Sequence, residues 1–170
     1  MNKVMEKALN NQIAEEFYSA YLYLSMAAHC ENIGLKGFAN WLRVQNQEEM
    51  FHFTKFFNFV LTRGGSVKLQ AIKEPPSSWK SPLDIFEQTL KHEEHITSCI
   101  NKLVNQAREE NDNASFNFLQ WFVGEQVEEE DNVNSLLAKL KLAKDNPASL
   151  FMIDQELAAR VFTPPAAAAE

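Results

Sequence analysis

Glu49 and His52 lie three residues apart in the run Glu48-Glu49-Met50-Phe51-His52, so on a helix both side chains leave the same face. That face is otherwise apolar. At about 100° per residue, Phe38, Leu42, Phe53, Phe56 and Val60 fall within roughly 40° of Glu49. An ionised carboxylate there is costly unless something positive meets it. Three other helical runs repeat the pattern. Glu16 stands among Leu9, Ile13, Ala20 and Tyr23. Glu93 stands among Phe86, Leu90, Ile96, Ile100 and Val104, and Gln126 with Glu129 among Leu119, Phe122, Val133 and Leu137.

The spacings match. Glu16 and Glu49 are 33 residues apart, as are Glu93 and Gln126; Glu16 and His52 are 36 apart, as are Glu93 and Glu129. Two helical hairpins would therefore carry one layout each: a carboxylate on the first helix and a pair three apart on the second. Packed about an approximate twofold, they bring six side chains to one level. Any one of these acids alone reads as a surface carboxylate; the matched set does not. Glu16, Glu49, Glu93 and Glu129 sum to about four negative charges, which two divalent cations would neutralise, and without them some would take up protons. Oxygen ligands with one imidazole suit iron or manganese better than structural zinc, and Glu49 is placed to bridge.

The elements needed to hold this layout are legible. Apolar residues recur at helical spacing from about Val4 to Cys30, with Leu9, Ile13, Phe17, Ala20, Leu24 and Ala27 on one side, and Gly34 stops the run. A second run reaches Arg63, ended by Gly64-Gly65. Residues 65–80 lack a helical period, and Val67–Ala71 alternates like a short strand that could pair with another chain. Ser81-Pro82-Leu83-Asp84 opens a third helix to about Glu110; a fourth spans Ala114–Lys144, and Asn146-Pro147 opens a short one through Arg160. Two tight connections and one long one predict an all-α four-helix bundle with a single crossover loop and a short fifth C-terminal helix.

With 170 residues the chain fits one domain, expected over residues 1–163 with a disordered tail at 164–170. Its formal charge of -7 disfavours nucleic acid and suits cations, and no apolar run is long enough for a membrane span. Cys30 and Cys99 match no metal or redox spacing and read as buried free thiols, in keeping with a reducing cytoplasm.

The segments LNNQIAEEFYSAYLY, EEMFH, KHEE and FNFLQWFVGEQVEEE resemble those of the bacterial non-haem ferritins, and the likeness covers nearly the whole chain. The resemblance implies a ferritin-like bundle in a cage of two dozen copies that oxidises iron(II) and stores iron(III) mineral. It implies a first iron site at Glu16, Glu49 and His52, and a second at Glu49, Glu93 and Glu129 with Gln126 beside it. A third, flanking site would use Glu48, Glu125, Glu128 and Glu129. Helix geometry agrees independently, because Glu48 and Glu125 each precede an inward residue and so turn to one flank. Tyr23 and Trp121 are the aromatics that such sites keep nearby as electron donors, although packing explains both equally well.

Met50 stands where the haem-binding relatives place a ligand, but those relatives carry Glu-x-x-His where this chain has Gln126-x-x-Glu129, so no haem is expected. A diiron oxidase acting on an organic substrate would use the same ligands. A metal-free helical interaction module would not bury the acids. His29, His92 and His95 have no partners at ligand spacing and read as structural. Leu150, Phe151, Ile153, Leu157 and Ala158 are expected around a fourfold axis, and Glu109, Glu110 and Asp112 along a threefold pore. The oxidant, oxygen or hydrogen peroxide, is left open.

Overall fold

A computed structural model describes residues 1–144 and 146–164. Its helices are α1 (Lys3–Asn32), α2 (Lys36–Thr62), α3 (Pro82–Glu109), α4 (Asn113–Ala143) and α5 (Pro147–Leu157). The all-α bundle is as the sequence predicts. Side chains supply most starts. Asn2 Oδ1 accepts from the Met5 amide at 2.8 Å, Ser81 Oγ from Asp84 at 3.1 Å, and Asn146 Oδ1 from Ala148 at 3.0 Å.

α2 has no cap of its own. Asp154 of α5 provides one, its Oδ1 accepting from the amides of Gly37 at 2.7 Å and Phe38 at 3.0 Å. A side chain at position 37 would put a Cβ 1.7 Å from the Asp154 carbonyl oxygen, so glycine is what lets α5 approach. One contact thus satisfies the α2 N-terminus and fixes the fifth helix.

α1 pairs with α2 and α3 with α4, and α1 also packs on α3. The crossover follows α1 from one end to the other. Asn10 Nδ2 donates to the Ser66 carbonyl and its Oδ1 accepts from Lys68, Ser25 Oγ donates to the Pro76 carbonyl, and His29 meets the Trp79 ring. Among the described residues Val67–Ala71 pairs with no other strand of this chain. It lies along α1, where Asn10 Oδ1 accepts from the Lys68 amide and Gln70 Nε2 donates to the Asn10 carbonyl and Asn11 Oδ1.

Two apolar clusters fill the bundle, one around Leu9, Phe56, Ile100 and Phe122, the other around Met26, Phe38, Phe86 and Leu137. Between them lies the buried polar layer of Glu16, Glu49, His52, Glu93, Gln126 and Glu129. The buried stripe of α1 differs from the expected one. It runs through Met5, Leu9, Ile13, Glu16, Ala20, Tyr23 and Ala27, while Phe17 and Leu24 are 40% and 48% exposed. A helix flanked on two sides buries a broad arc, and the 17/24 ridge falls just outside it.

α5 stops at Leu157, short of the expected Arg160, because Asn40 Nδ2 donates to the carbonyls of Leu157 at 3.1 Å, Ala158 at 3.3 Å and Arg160 at 2.9 Å. Ile153 and Leu157 pack into the chain's own core, which removes them from the surface assigned to a fourfold axis. Asp112 is likewise occupied, capping α4 through Ser115 and pairing with Arg63 at 3.0 Å rather than standing free for a pore. The tail expected to be disordered lies, from residue 165, outside the described residues. No described helix is long and apolar enough to cross a membrane.

Candidate metal centre

The first hairpin brings its three residues together. Glu16, Glu49 and His52 each offer a ligand atom within 4.8 Å of the others. His52 Nδ1 stands 3.4 Å from Glu49 Oε2 and 3.9 Å from Glu16 Oε2. Gln12 Nε2 donates to Glu16 Oε1 at 2.9 Å. The facing atoms, Glu16 Oε2 and Glu49 Oε2, are buried and accept no hydrogen bond from the described residues. Buried carboxylate oxygens are rarely left so.

In the second hairpin the acids are engaged. The Tyr23 hydroxyl donates to Glu93 Oε1, and Gln126 Nε2 donates to Glu93 Oε2 at 3.2 Å. Glu129 Oε2 accepts from Gln45 Nε2 at 2.8 Å. Tyr23, fully buried, is thus joined directly to the polar layer. Trp121 instead lies edge-on to His52, ring centroids 5.5 Å apart.

Charge repulsion and burial act together here. Burial raises Glu16 well above the usual carboxylate range, and the neighbouring Glu49 raises it further. Glu49 rises for the same reason, with Glu93 and Glu129 adding to it. Burial, then Glu129, pushes Glu93 up to about 8, and burial and Glu93 drive the Tyr23 hydroxyl up. Without cations the layer therefore retains protons, and ions entering it must displace them.

The flank differs from its expected form. His52, Glu125 and Glu129 offer ligand atoms within 4.8 Å of one another. Glu48 is not in that group; its Oε2 accepts from Arg160 Nη2 at 2.7 Å. Glu128 is exposed and also outside it. Of the four residues assigned to a third site, only Glu125 and Glu129 come together, and they do so with His52.

Sequence reasoning missed Gln12 and Gln45. Both are buried and each stands one turn before an acid of the first hairpin. They too are 33 residues apart, which was the available signal. The remaining histidines keep out of the layer. His92 contacts Ser19 Oγ at 2.8 Å and is pushed down to about 4 by burial, hence neutral; His29 meets Trp79. Cys30 is buried as expected, its thiol raised to about 12. Cys99 is only half-buried, 3.6 Å from His95 Nε2.

The profile of the ferritin-like domain matches residues 6–143. The chain belongs to the ferritin family. Its relatives include the bacterial non-heme ferritin of Bacteroides fragilis, 39% identical over 160 residues that cover 94% of this chain and 99% of that one. A probable bacterial non-heme ferritin-like protein of Haemophilus influenzae is 44% identical over 151 residues, 89% of this chain and 92% of its own. Among solved structures, an Archaeoglobus fulgidus ferritin engineered into a closed form superposes with a TM-score of 0.95 at 53% identity, covering 96% of this chain and 99% of that one. The open-pore ferritin of the same archaeon gives 0.94 at 52%, covering 95% and 99%. The resemblance read from the sequence is borne out, and the ferritin's Glu–His cluster fits iron storage and iron oxidation.

Proposed function

We propose that this ferritin takes up two iron(II) ions per subunit as substrate, oxidises them, and passes iron(III) to a mineral inside a homo-oligomeric cage. The observation that carries this is the pair of buried, unpartnered oxygens, Glu16 Oε2 and Glu49 Oε2, beside His52 Nδ1. Glu16, Glu49 and His52 would hold the first ion. Glu49, Glu93 and Glu129 would hold the second, with Gln126 steadying Glu93. Glu49 serves both, so its carboxylate bridges.

Each iron(II) gives up one electron. Dioxygen takes both with two protons to become hydrogen peroxide, or hydrogen peroxide takes both with two protons to become two waters. The carboxylates' part is electrostatic: four negative charges stabilise the higher charge of iron(III) more than that of iron(II). Where only one iron(II) is bound, Tyr23, against Glu93, is the aromatic suited to give the oxidant the second electron together with its phenolic proton, and Trp121, packed on His52, is a packing residue first. Assembly is supported by an apolar ridge on α1, where Phe17, Tyr21 and Leu24 are all at least 40% exposed.

Iron(II) added in air to the assembled protein should raise ferric absorbance quickly, with iron retained on the particle. Glu49→Ala should slow that oxidation by about 100-fold, the scale on which metal sites respond to lost ligation. A wild-type rate in Glu49→Ala would sink the site assignment. Elution from a sizing column as a 19.4 kDa monomer would sink the cage.

A further inference from the structure

Arg160 belongs to no helix, yet its guanidinium reaches the flank of the polar layer. Asn40 holds its backbone through the Arg160 carbonyl at 2.9 Å. Its side chain is then fixed three ways. Nη2 donates to Glu48 Oε2 at 2.7 Å, Nη1 donates to the Trp41 carbonyl at 3.4 Å, and the guanidinium carbon lies 4.4 Å from the Trp41 ring centre. Phe162, two residues on, meets Phe51 at 6.5 Å between ring centroids. Side-chain exposures of 21% for Arg160 and 24% for Glu48 mean that water screens this pair only partly.

Glu48 directly precedes Glu49, and beside it Glu125, Glu129 and His52 already converge. With His52 given to the first ion, an ion beside Glu125 and Glu129 would need another oxygen donor, and Glu48, on which the charges of Glu129, His52 and Glu125 all act, is placed to supply it. Guanidinium is a permanent cation, and its two arms here reach Glu48 and the Trp41 carbonyl, so Glu48 has its positive partner before any metal arrives.

We propose that Arg160 is a resident cation that holds Glu48 out of the flanking metal site, so that an ion completes that site only by displacing the segment at 158–164. The proposal rests on the diiron reading above for the location of the flank. It makes Arg160 a positioning residue that sets how many ions a subunit holds. Because coupling is reciprocal, an ion on the flank loosens the segment as much as the docked segment weakens the ion.

Calorimetric titration of the assembled, metal-free protein with iron(II) under argon tests this without turnover. Wild type should bind two ions tightly and a third weakly. Arg160→Gln should tighten the third by about tenfold, the scale of a charge-assisted hydrogen bond removed from competition, and leave the first two unchanged. Adding Glu48→Gln to Arg160→Gln should cancel the gain, as should adding Glu125→Gln. Arg160→Lys, which keeps the charge but loses the fork and the ring contact, should gain less in the same direction. A third ion of unchanged or lower affinity in both Arg160 variants overturns the proposal, as does a gain that survives Glu48→Gln. Two tight ions indifferent to Glu49→Ala would overturn the diiron reading, and the proposal with it.

Discussion

The two hairpins carry the same ligand layout and differ in readiness. In the α1–α2 hairpin, Glu16 Oε2 and Glu49 Oε2 face His52 Nδ1 with no hydrogen bond from the described residues to either oxygen. In the α3–α4 hairpin, Glu93 is held by Tyr23 and Gln126, and Glu129 by Gln45. The first half keeps unpartnered oxygens beside the imidazole, poised for a cation. The second has engaged its oxygens with protein donors that an ion must displace. Equal sequence spacing therefore does not give equal sites, and the first half should fill before the second.

The largest break in that comparison is between Glu16→Ala and Glu93→Ala. Glu16→Ala should weaken the tightest iron(II) by about 100-fold, whereas Glu93→Ala should spare it and remove the next. Anaerobic calorimetry reads both. Equal loss of both ions in each variant would mean that the halves fill together.

Tyr23→Phe should have a smaller effect of opposite sign. With the hydroxyl gone, Glu93 keeps only Gln126 as a donor, and the second ion should bind several-fold more tightly while the metal-free protein loses about 1–3 kcal/mol. Titration beside thermal unfolding would show it. A weaker second ion would mean that Tyr23 positions Glu93 for metal rather than competing for it.

The smallest effect is on pH. Glu93 is raised to about 8 and Glu48 to about 7, both from 4.5, by burial first. A carboxyl raised in the folded state favours folding fully below the unfolded value and loses that contribution as pH climbs through the folded one. The metal-free melting temperature should therefore fall as pH rises from 5 to 8. Saturating iron(II) under argon should reverse the slope, because the ions favour the ionised acids. A metal-free slope of zero would mean that the layer is already ionised.

Much of this was legible before any coordinates. Helical periodicity and the stops at Gly34 and Gly64-Gly65 give α1 to α4 nearly to the residue, and Ser81-Pro82 marks the start of α3. These signals are local, as are the acid-in-apolar positions of Glu16, Glu49, Glu93 and Glu129. What was misread depended on neighbours far along the chain. Phe17 and Leu24 have the right spacing for burial, but only the placement of α2 and α3 around α1 decides the width of the covered arc. Val67–Ala71 alternates like a strand, and only the fold lays it along α1 against Asn10 and Asn11. Asp154 carries no local mark of its role, because only the docking of α5 sets it at the α2 N-terminus.

The sequence by itself determined that six metal-capable side chains share one level of a four-helix bundle, because a 3.6-residue period and a repeated 33-residue offset suffice for that. Only the tertiary structure decided which oxygens remain unmet. Gln45, Tyr23 and Arg160 approach from 84, 70 and 112 residues away in sequence, and each commits a particular carboxylate oxygen. Side-chain hydrogen bonds of that reach are fixed by packing, which no local period encodes.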